Sequence, residues 1–471
     1  MPQTRTDPVW DAAAETVGGP RGQREGRRAG ALAWFTPSRV LLILTTLAAM
    51  LAYAIKQPCF GINWASPEVF SRACYSDWPV IFSQRGLADG LLPFLSPESR
   101  VEYPVLLALT AGLFAAVTPG SGLSHERSMD FFNINAVAAA VAWGALVLVT
   151  AATARHLRAQ GAFDGTEAAA PRWGTGIERG AVVALSPAII TTIFINWDVY
   201  AVLLAAVGLW GIVTRRWVLA GLFIGLGTAF KLYPILLLGV AFLMAVRAPR
   251  RSRAWVSFMT TTVAAVVSWL AVNVPAMLVD MTQWRYFLDF TKERGAGFSS
   301  LWFVINLGGG GWDSVLSAEQ INRLGMISLL VMLALIVVFA WLSPRPIQPA
   351  ALAFLIVAAF VLTNKVYSPQ FVIWLVPLAA LAGIPWRWLL AWQAVEVLHW
   401  WAVWEALARW STPNANPQHF MAEDVYSWAV IAHMLALGAL MAWVCVRGWT
   451  SPEPQQGQPL RSAGARPART F

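Results

Sequence analysis

The sequence predicts an all-α polytopic membrane protein, and three observations carry that prediction. Hydrophobic residues make up 57% of the 471 positions and charged residues 13%, with a mean hydropathy of +0.56, a balance that a water-soluble enzyme of this size does not tolerate. Apolar runs bounded by charge or proline recur thirteen times along the chain. The net charge of +9 resides in short arginine runs between those segments and in the two ends, as the positive-inside rule requires and as a nucleic-acid binder does not.

Taken in order, residues 1–38 contain RGQREGRR and read as a disordered cytoplasmic tail. The first apolar run, 39–55, has no small-residue cleavage site and reads as a retained helix, not a signal peptide. Further runs occupy 103–118, 131–153, 180–195, 199–214, 217–230, 232–246, 255–279, 324–342, 350–364, 369–384, 387–405 and 425–446. A second disordered cytoplasmic tail, rich in Pro, Gln and Arg, covers 447–471.

Basic loops at 154–160, 214–217, 247–253, 343–346 and 385–388 all fall on the cytoplasmic side only if one run between 56 and 153 fails to cross. The weakest is 103–118, short and bounded by EYP and TPG. It is expected to lie along the outer interface, within a first external loop spanning 56–130. About twelve transmembrane helices then make up a membrane domain over 39–446, with both termini cytoplasmic.

Cys59 and Cys74 share that first loop, on the oxidising side, and are a disulfide candidate. Cys445 reads as helix packing, and no Cys/His spacing resembles a zinc site. Of the 34 basic residues only Lys56, Lys231, Lys292 and Lys365 are lysines, and each falls on the predicted outer side. That sidedness points to an outward site that uses compact cations.

Charged groups at membrane depth cost roughly 2.5 to 3.5 kcal/mol each on insertion scales, so those that persist line cavities or pair with one another. In CYSDWPVIFSQRGLADG, Asp77 precedes an amphipathic surface helix with Arg85 two turns on. A carboxylate in a dry cleft beside a cation accepts a proton from a substrate hydroxyl; the competing reading is that Ser76 or Asp77 only caps the helix. Asp89 reads as a turn residue. In VEYPVL, Glu102 and Tyr103 either hydrogen-bond a sugar or simply begin a helix. In IFINWDVY, Asn196 and Asp198 interrupt two apolar helices, as a polar turn or as part of a site.

Two segments share one form. AFKLYP sets Lys231 and Tyr233, and TNKVYSPQF sets Lys365, Tyr367 and Gln370, at proline-broken helix starts, where free N–H groups and a lysine favour an anion such as a lipid phosphate. Snorkelling lysines are the alternative. The loop from 280 to 323 adds Lys292 and Arg294 as phosphate contacts, and Gly308 to Gly311 suit a flexible lid. No GxxxxGK[ST] nucleotide cradle is present. Glu396 and His399 stand one turn apart in mid-helix, where a structural bridge between them ranks ahead of a proton relay.

In this order the segments YSDWPVIFSQRGLADG, VEYPVL, INWDVYAVLLAAVGLW, LAGLFIGLGTAFKLYPILLL, FTKERG with SSLW, and NKVYSPQFVIWLVPL resemble glycosyltransferase family 87, the polyprenol-phosphate-mannose-dependent membrane mannosyltransferases, over about 39–446. The resemblance implies a GT-C glycosyltransferase fold whose first external loop carries the catalytic carboxylate, at Asp77. It implies transfer of a hexose, mannose first of all, from a polyprenyl-phosphate sugar to a cell-envelope glycolipid or polysaccharide acceptor on the outer face, with inversion. Lys231 and Lys365, with Lys292 or Arg294, would neutralise the phosphate. Arg85, Glu102, Tyr103, Asn196, Asp198, Tyr233, Tyr367 and Gln370 would line the donor and acceptor. No cofactor is expected, although a divalent metal between Asp77 and Asp198 stays open. One departure stands out: relatives often place a Glu-Ser pair soon after Arg-Gly in the late external loop, where RGAGFSS here has no glutamate. The rival readings are a transferase for another lipid-linked sugar such as arabinofuranose, and a secondary transporter or flippase. Against the transporter stand the lack of an inverted repeat and the polar groups crowding one boundary rather than the midplane.

Overall fold

In the computed structural model the described residues are 35–96, 98–163, 176–249, 251–310, 315–412 and 421–450. Among them the chain is helical throughout, with no strand. Most of the two expected tails, and Gly311 of the expected glycine lid, lie outside the described residues.

The helices in chain order are α1 (Pro37–Lys56), α2 (Glu68–Ser71), α3 (Asp77–Gln84), α4 (Val105–Val117), α5 (His125–Ala159), α6 (Ile177–Ala184), α7 (Pro187–Thr192), α8 (Asp198–Val213) and α9 (Trp217–Phe230). There follow α10 (Leu237–Arg247), α11 (Ala254–Val279), α12 (Met281–Glu293), α13 (Leu301–Gly308), α14 (Ala318–Leu342), α15 (Pro349–Thr363), α16 (Val372–Leu381), α17 (Trp386–Ser411) and α18 (Glu423–Thr450). Each of the thirteen apolar runs carries helix, although the run 180–195 is split at Leu185–Ser186 into α6 and α7, and α18 continues to Thr450, past the expected start of the tail.

Among the described residues five segments are long and apolar enough to cross a membrane: Pro37–Ile62, His125–Ala159, Ala254–Val279, Ala318–Leu342 and Glu423–Thr450. The other apolar helices are shorter. At 1.5 Å per residue, α4, α8, α9, α15 and α16 reach only about 15 to 24 Å, short of a hydrocarbon core of about 30 Å. α15 and α16 are apolar on every side and almost wholly buried, so they form the centre of the bundle. α8, α9 and α11 pack face to face through small residues. A Cβ at Gly221 would strike the Thr261 carbonyl, and one at Gly225 the Ala265 carbonyl and the Ser268 hydroxyl. An apolar hollow of about 320 Å³ lies between α14, α15 and α18, lined by Met332, Phe339, Leu355 and Met441 among others.

The segment expected to be a loop from 280 to 323 is largely helical. Asp280 caps α12 by accepting from the amides of Thr282 and Gln283, and Ser300 caps α13. Hydropathy hides both: α12 is amphipathic and carries many polar residues, and α13 is apolar but only 8 residues long. Gly309 and Gly310 form a turn after α13.

The first loop is tied down covalently and by hydrogen bonds. Cys59 and Cys74 form a disulfide, as expected. Buried Arg127 on α5 donates to the carbonyls of Ala88, Gly122 and Pro119, which fixes the turn holding Asp89. α4, the short run expected along the interface, is a helix of 13 residues packed against α5, α9 and α11.

Candidate active site

The site is assembled where helices stop. α3 begins, α7 ends, α8 begins and α9 ends around one spot, and each brings a polar side chain to it. Ser76 caps α3 by accepting the Trp78 amide at 3.4 Å, so the carboxylate of Asp77 is spared that duty. The Asp77 amide donates to the Ile195 carbonyl at 2.7 Å, so main chain fixes where the side chain starts.

Asn196 Nδ2 donates to Asp77 Oδ2 at 2.5 Å and to the Tyr103 hydroxyl oxygen at 2.8 Å, and its own Oδ1 accepts the Trp197 amide. The Tyr75 phenol also lies beside Asp77 and favours its ionised form. Burial pushes the Asp77 carboxyl above the ordinary aspartate range, and Asp198 adds to that rise; the Tyr75 phenol, the bond from Asn196 and the charge of Lys231 pull it part of the way back.

Beside Asp77 stands an ion pair. Lys231 Nζ lies 2.8 Å from Asp198 Oδ1, which also accepts the indole N–H of Trp374 at 2.6 Å. Three rings surround the ammonium, with the centroids of Tyr103, Phe371 and Trp374 at 5.8, 5.9 and 6.0 Å. The second oxygen of Asp198 and the hydroxyl of Tyr233, whose ring stacks on Trp374 at 4.0 Å, are buried without a protein partner. Lys56 adds another cation, its Nζ donating to the Tyr75 carbonyl at 2.6 Å.

The other expected residues sit differently. Arg85 and Glu102 clasp each other through two parallel bonds of 2.6 and 2.7 Å, joining the end of α3 to the approach of α4. Lys365 shares no described partner with Lys231. Its Nζ donates to the carbonyls of Thr291 and Arg294 at 2.5 and 2.7 Å and to Asn322 at 2.7 Å, so all three donor positions are taken and the residue clamps the end of α12 to α14. Burial and the neighbouring Arg294 guanidinium push its ammonium down to about 8. Lys292 and Arg294 are exposed, and Gln370 is buried in the 3-10 turn ahead of α16.

Tyr367 belongs to a separate buried group. Its hydroxyl donates to Glu396 Oε1 at 3.1 Å, and that oxygen also accepts the Trp392 indole at 2.9 Å. The expected bridge between Glu396 and His399 is not formed: Glu396 Oε2 faces His433 Nδ1 of α18 at 3.4 Å, because the carboxylate points across the helix pair and not along its own helix. Nothing in the sequence singles out His433, Phe371 or Trp374 for the site, and Tyr75 is marked only by standing two residues before Asp77; Trp374 reaches Asp198 across 176 positions, a separation that no spacing rule covers.

The arrangement holds a buried carboxylate with a raised proton affinity, hydrogen-bonded in place, next to a lysine and two unsatisfied oxygens. That is equipment for taking a proton and steadying an anion. No curated protein matches the chain significantly. The profile of glycosyltransferase family 87 matches residues 102–363, more than half of the chain but less at either end than the 39–446 of the resemblance; Glu102, Tyr103, Asn196, Asp198, Lys231 and Tyr233 fall inside the match, and Asp77 and Lys365 outside it.

Proposed function

Because the chain belongs to glycosyltransferase family 87, we propose that it is an inverting membrane transferase that moves a hexose, mannose in the first place, from a polyprenyl-phosphate sugar to a cell-envelope glycolipid or glycan on the outer face. The observation that carries this reading is the buried Asp77, held by Asn196 with the Tyr75 phenol beside it, next to the Lys231–Asp198 pair. In the proposed step the acceptor hydroxyl loses its proton to Asp77 while its oxygen bonds to the anomeric carbon. The bond from that carbon to the phosphate oxygen breaks on the opposite face, and polyprenyl phosphate leaves with the bonding electrons.

Lys231 is the cation placed to meet the leaving phosphate, with Asp198 holding it ready and the Tyr233 hydroxyl next to it. Lys365 orders the segment around Thr291 and Arg294, and the exposed Lys292 and Arg294 are left as candidates for a more distant phosphate contact. An outward site agrees with a lipid-borne donor, since no nucleotide cradle is present in the sequence. A GT-C arrangement with about twelve crossings accommodates such a donor from the bilayer, its prenyl chain lying among the helices.

The test is to incubate the purified protein in lipid with radiolabelled polyprenyl-phosphate mannose and envelope glycolipids. Labelled glycolipid is expected with the unaltered chain, and a loss of at least about 10²-fold with Asp77→Asn at unchanged melting temperature. Turnover retained in that variant would remove Asp77 as the base. Product from polyprenyl-phosphate arabinofuranose but not mannose would change the sugar and keep the mechanism.

A further inference from the structure

Beyond the family-matched region, α17 and α18 carry a polar cluster that the proposed transfer does not use. Glu396 and His399 come from α17 and His433 from α18, and one ligand atom of each lies within 4.8 Å of the others. Their exposures are 4%, 1% and 0%, so no solvent satisfies them.

Counting protons shows what is missing. His433 Nε2 lies 3.3 Å from the Ser299 carbonyl, which only accepts, so that nitrogen carries a hydrogen. In the neutral ring Nδ1 is then a lone pair, and it faces the carboxylate oxygen Oε2 of Glu396 at 3.4 Å. The His399 ring lies flat against the same imidazole, with centroids 3.7 Å apart and planes at 2°, and neither of its nitrogens has a protein partner. Acceptors therefore converge in a dry place with nothing between them. A proton on His433 would reconcile Nδ1 with Glu396, but it leaves His399 unanswered and sets a charged ring face-on against another imidazole. A metal cation answers all three groups at once.

The surroundings are those of a metal ligand set. Glu396 Oε1 is pinned by Trp392 and Tyr367, which turns Oε2 toward His433, and the N–H of His433 rests on a backbone carbonyl, the usual support for a ligating imidazole. Two histidines and one glutamate form a known zinc ligand set, with a fourth position left for water or another oxygen. Ligand atoms around tetrahedral zinc stand about 3.4 Å apart, so closing on the ion asks for about 1 Å of movement and a tilt of the two rings.

We propose that Glu396, His399 and His433 bind a first-row divalent transition-metal ion, zinc in particular, which pins α17 to α18 and to the segment carrying Ser299. The site shares no residue with the Asp77 group and does not depend on the sugar-transfer reading.

The experiment uses the full chain, purified in detergent without a histidine tag. Elemental analysis is expected to find about one zinc per chain, and Co²⁺ added after chelator treatment to give the visible bands of a low-symmetry site. His399→Ala and His433→Ala should each lower bound metal at least about 10-fold and remove the cobalt bands, while His156→Ala, on α5, leaves both unchanged. Zinc should also raise the melting temperature of the chelated wild type and not of either variant. Should the variants fail to fold, the wild-type stoichiometry and cobalt spectrum still decide. Less than about 0.1 metal per chain after zinc is added, with no cobalt bands, overturns the proposal in favour of a protonated His433, and so does full metal content in both variants.

Discussion

Asp77 combines two demands that pull against each other: it is buried, which favours its neutral form, and a base must be ionised. The Tyr75 phenol, the bond from Asn196 and the charge of Lys231 offset part of the rise. The sign follows directly. A carboxyl whose affinity for protons is raised holds its proton up to a higher pH, so transfer should fail on acidification above the usual aspartate value of about 4. The acid limb of kcat/KM measured against pH is expected there, and a limb at or below about 4 would contradict it. Lys231 makes the neighbouring case. Replacing it by Met leaves the wholly buried Asp198 with only Trp374, which should cost about 3 kcal/mol, whereas Lys231→Met with Asp198→Asn recovers much of that; melting in detergent reads both. The sequence made Asp77, Asn196, Asp198 and Lys231 legible because each breaks an apolar run. It did not make Lys365 legible as a clamp or Arg85 and Glu102 as a mutual pair, because charge alone does not say whether a partner is a ligand or another part of the chain.

Helix positions were readable wherever a run was apolar, since period and punctuation agree there, while the ends differ by up to about six residues where polar first and last turns extend a helix past its apolar run, as at His125–Ala159 and Trp386–Ser411. The failures are α12, an amphipathic helix with mostly exposed or half-buried residues, and α13, an apolar helix too short to stand out as a span. The approach of α9 to α11 is the element on which the site leans, because Lys231 is the residue at which α9 ends. Gly225→Val should therefore collapse the yield of folded protein in size-exclusion chromatography, through the collision with Ala265 and Ser268, while Gly438→Ala, facing open space on α18, is tolerated. Equal yields from the two would show that the close approach is dispensable.

Over the whole molecule, the disulfide and the arginine runs predict opposite sides. Single cysteines placed at Thr110 and Gln160, in a chain whose only free thiol, Cys445, has been replaced, should give a label at 160 from the cytoplasmic side alone and at 110 from outside or not at all. The reverse pattern would break the proposed topology. Hydropathy counts treat every run as a full crossing and cannot register that α3, α7, α8 and α9 begin or end together around Asp77. The scarcity of lysine has a use beyond catalysis. Of the four lysines, Lys56 and Lys365 are buried and the Lys231 side chain is only 13% exposed within its ring of aromatics, so Lys292 is the single lysine in open view. An acylating reagent thus meets few lysines on this protein, and the slow reaction left after Lys292 is consumed is a chemical reporter of when the surroundings of Lys231 open to solvent and when a bound donor shields them.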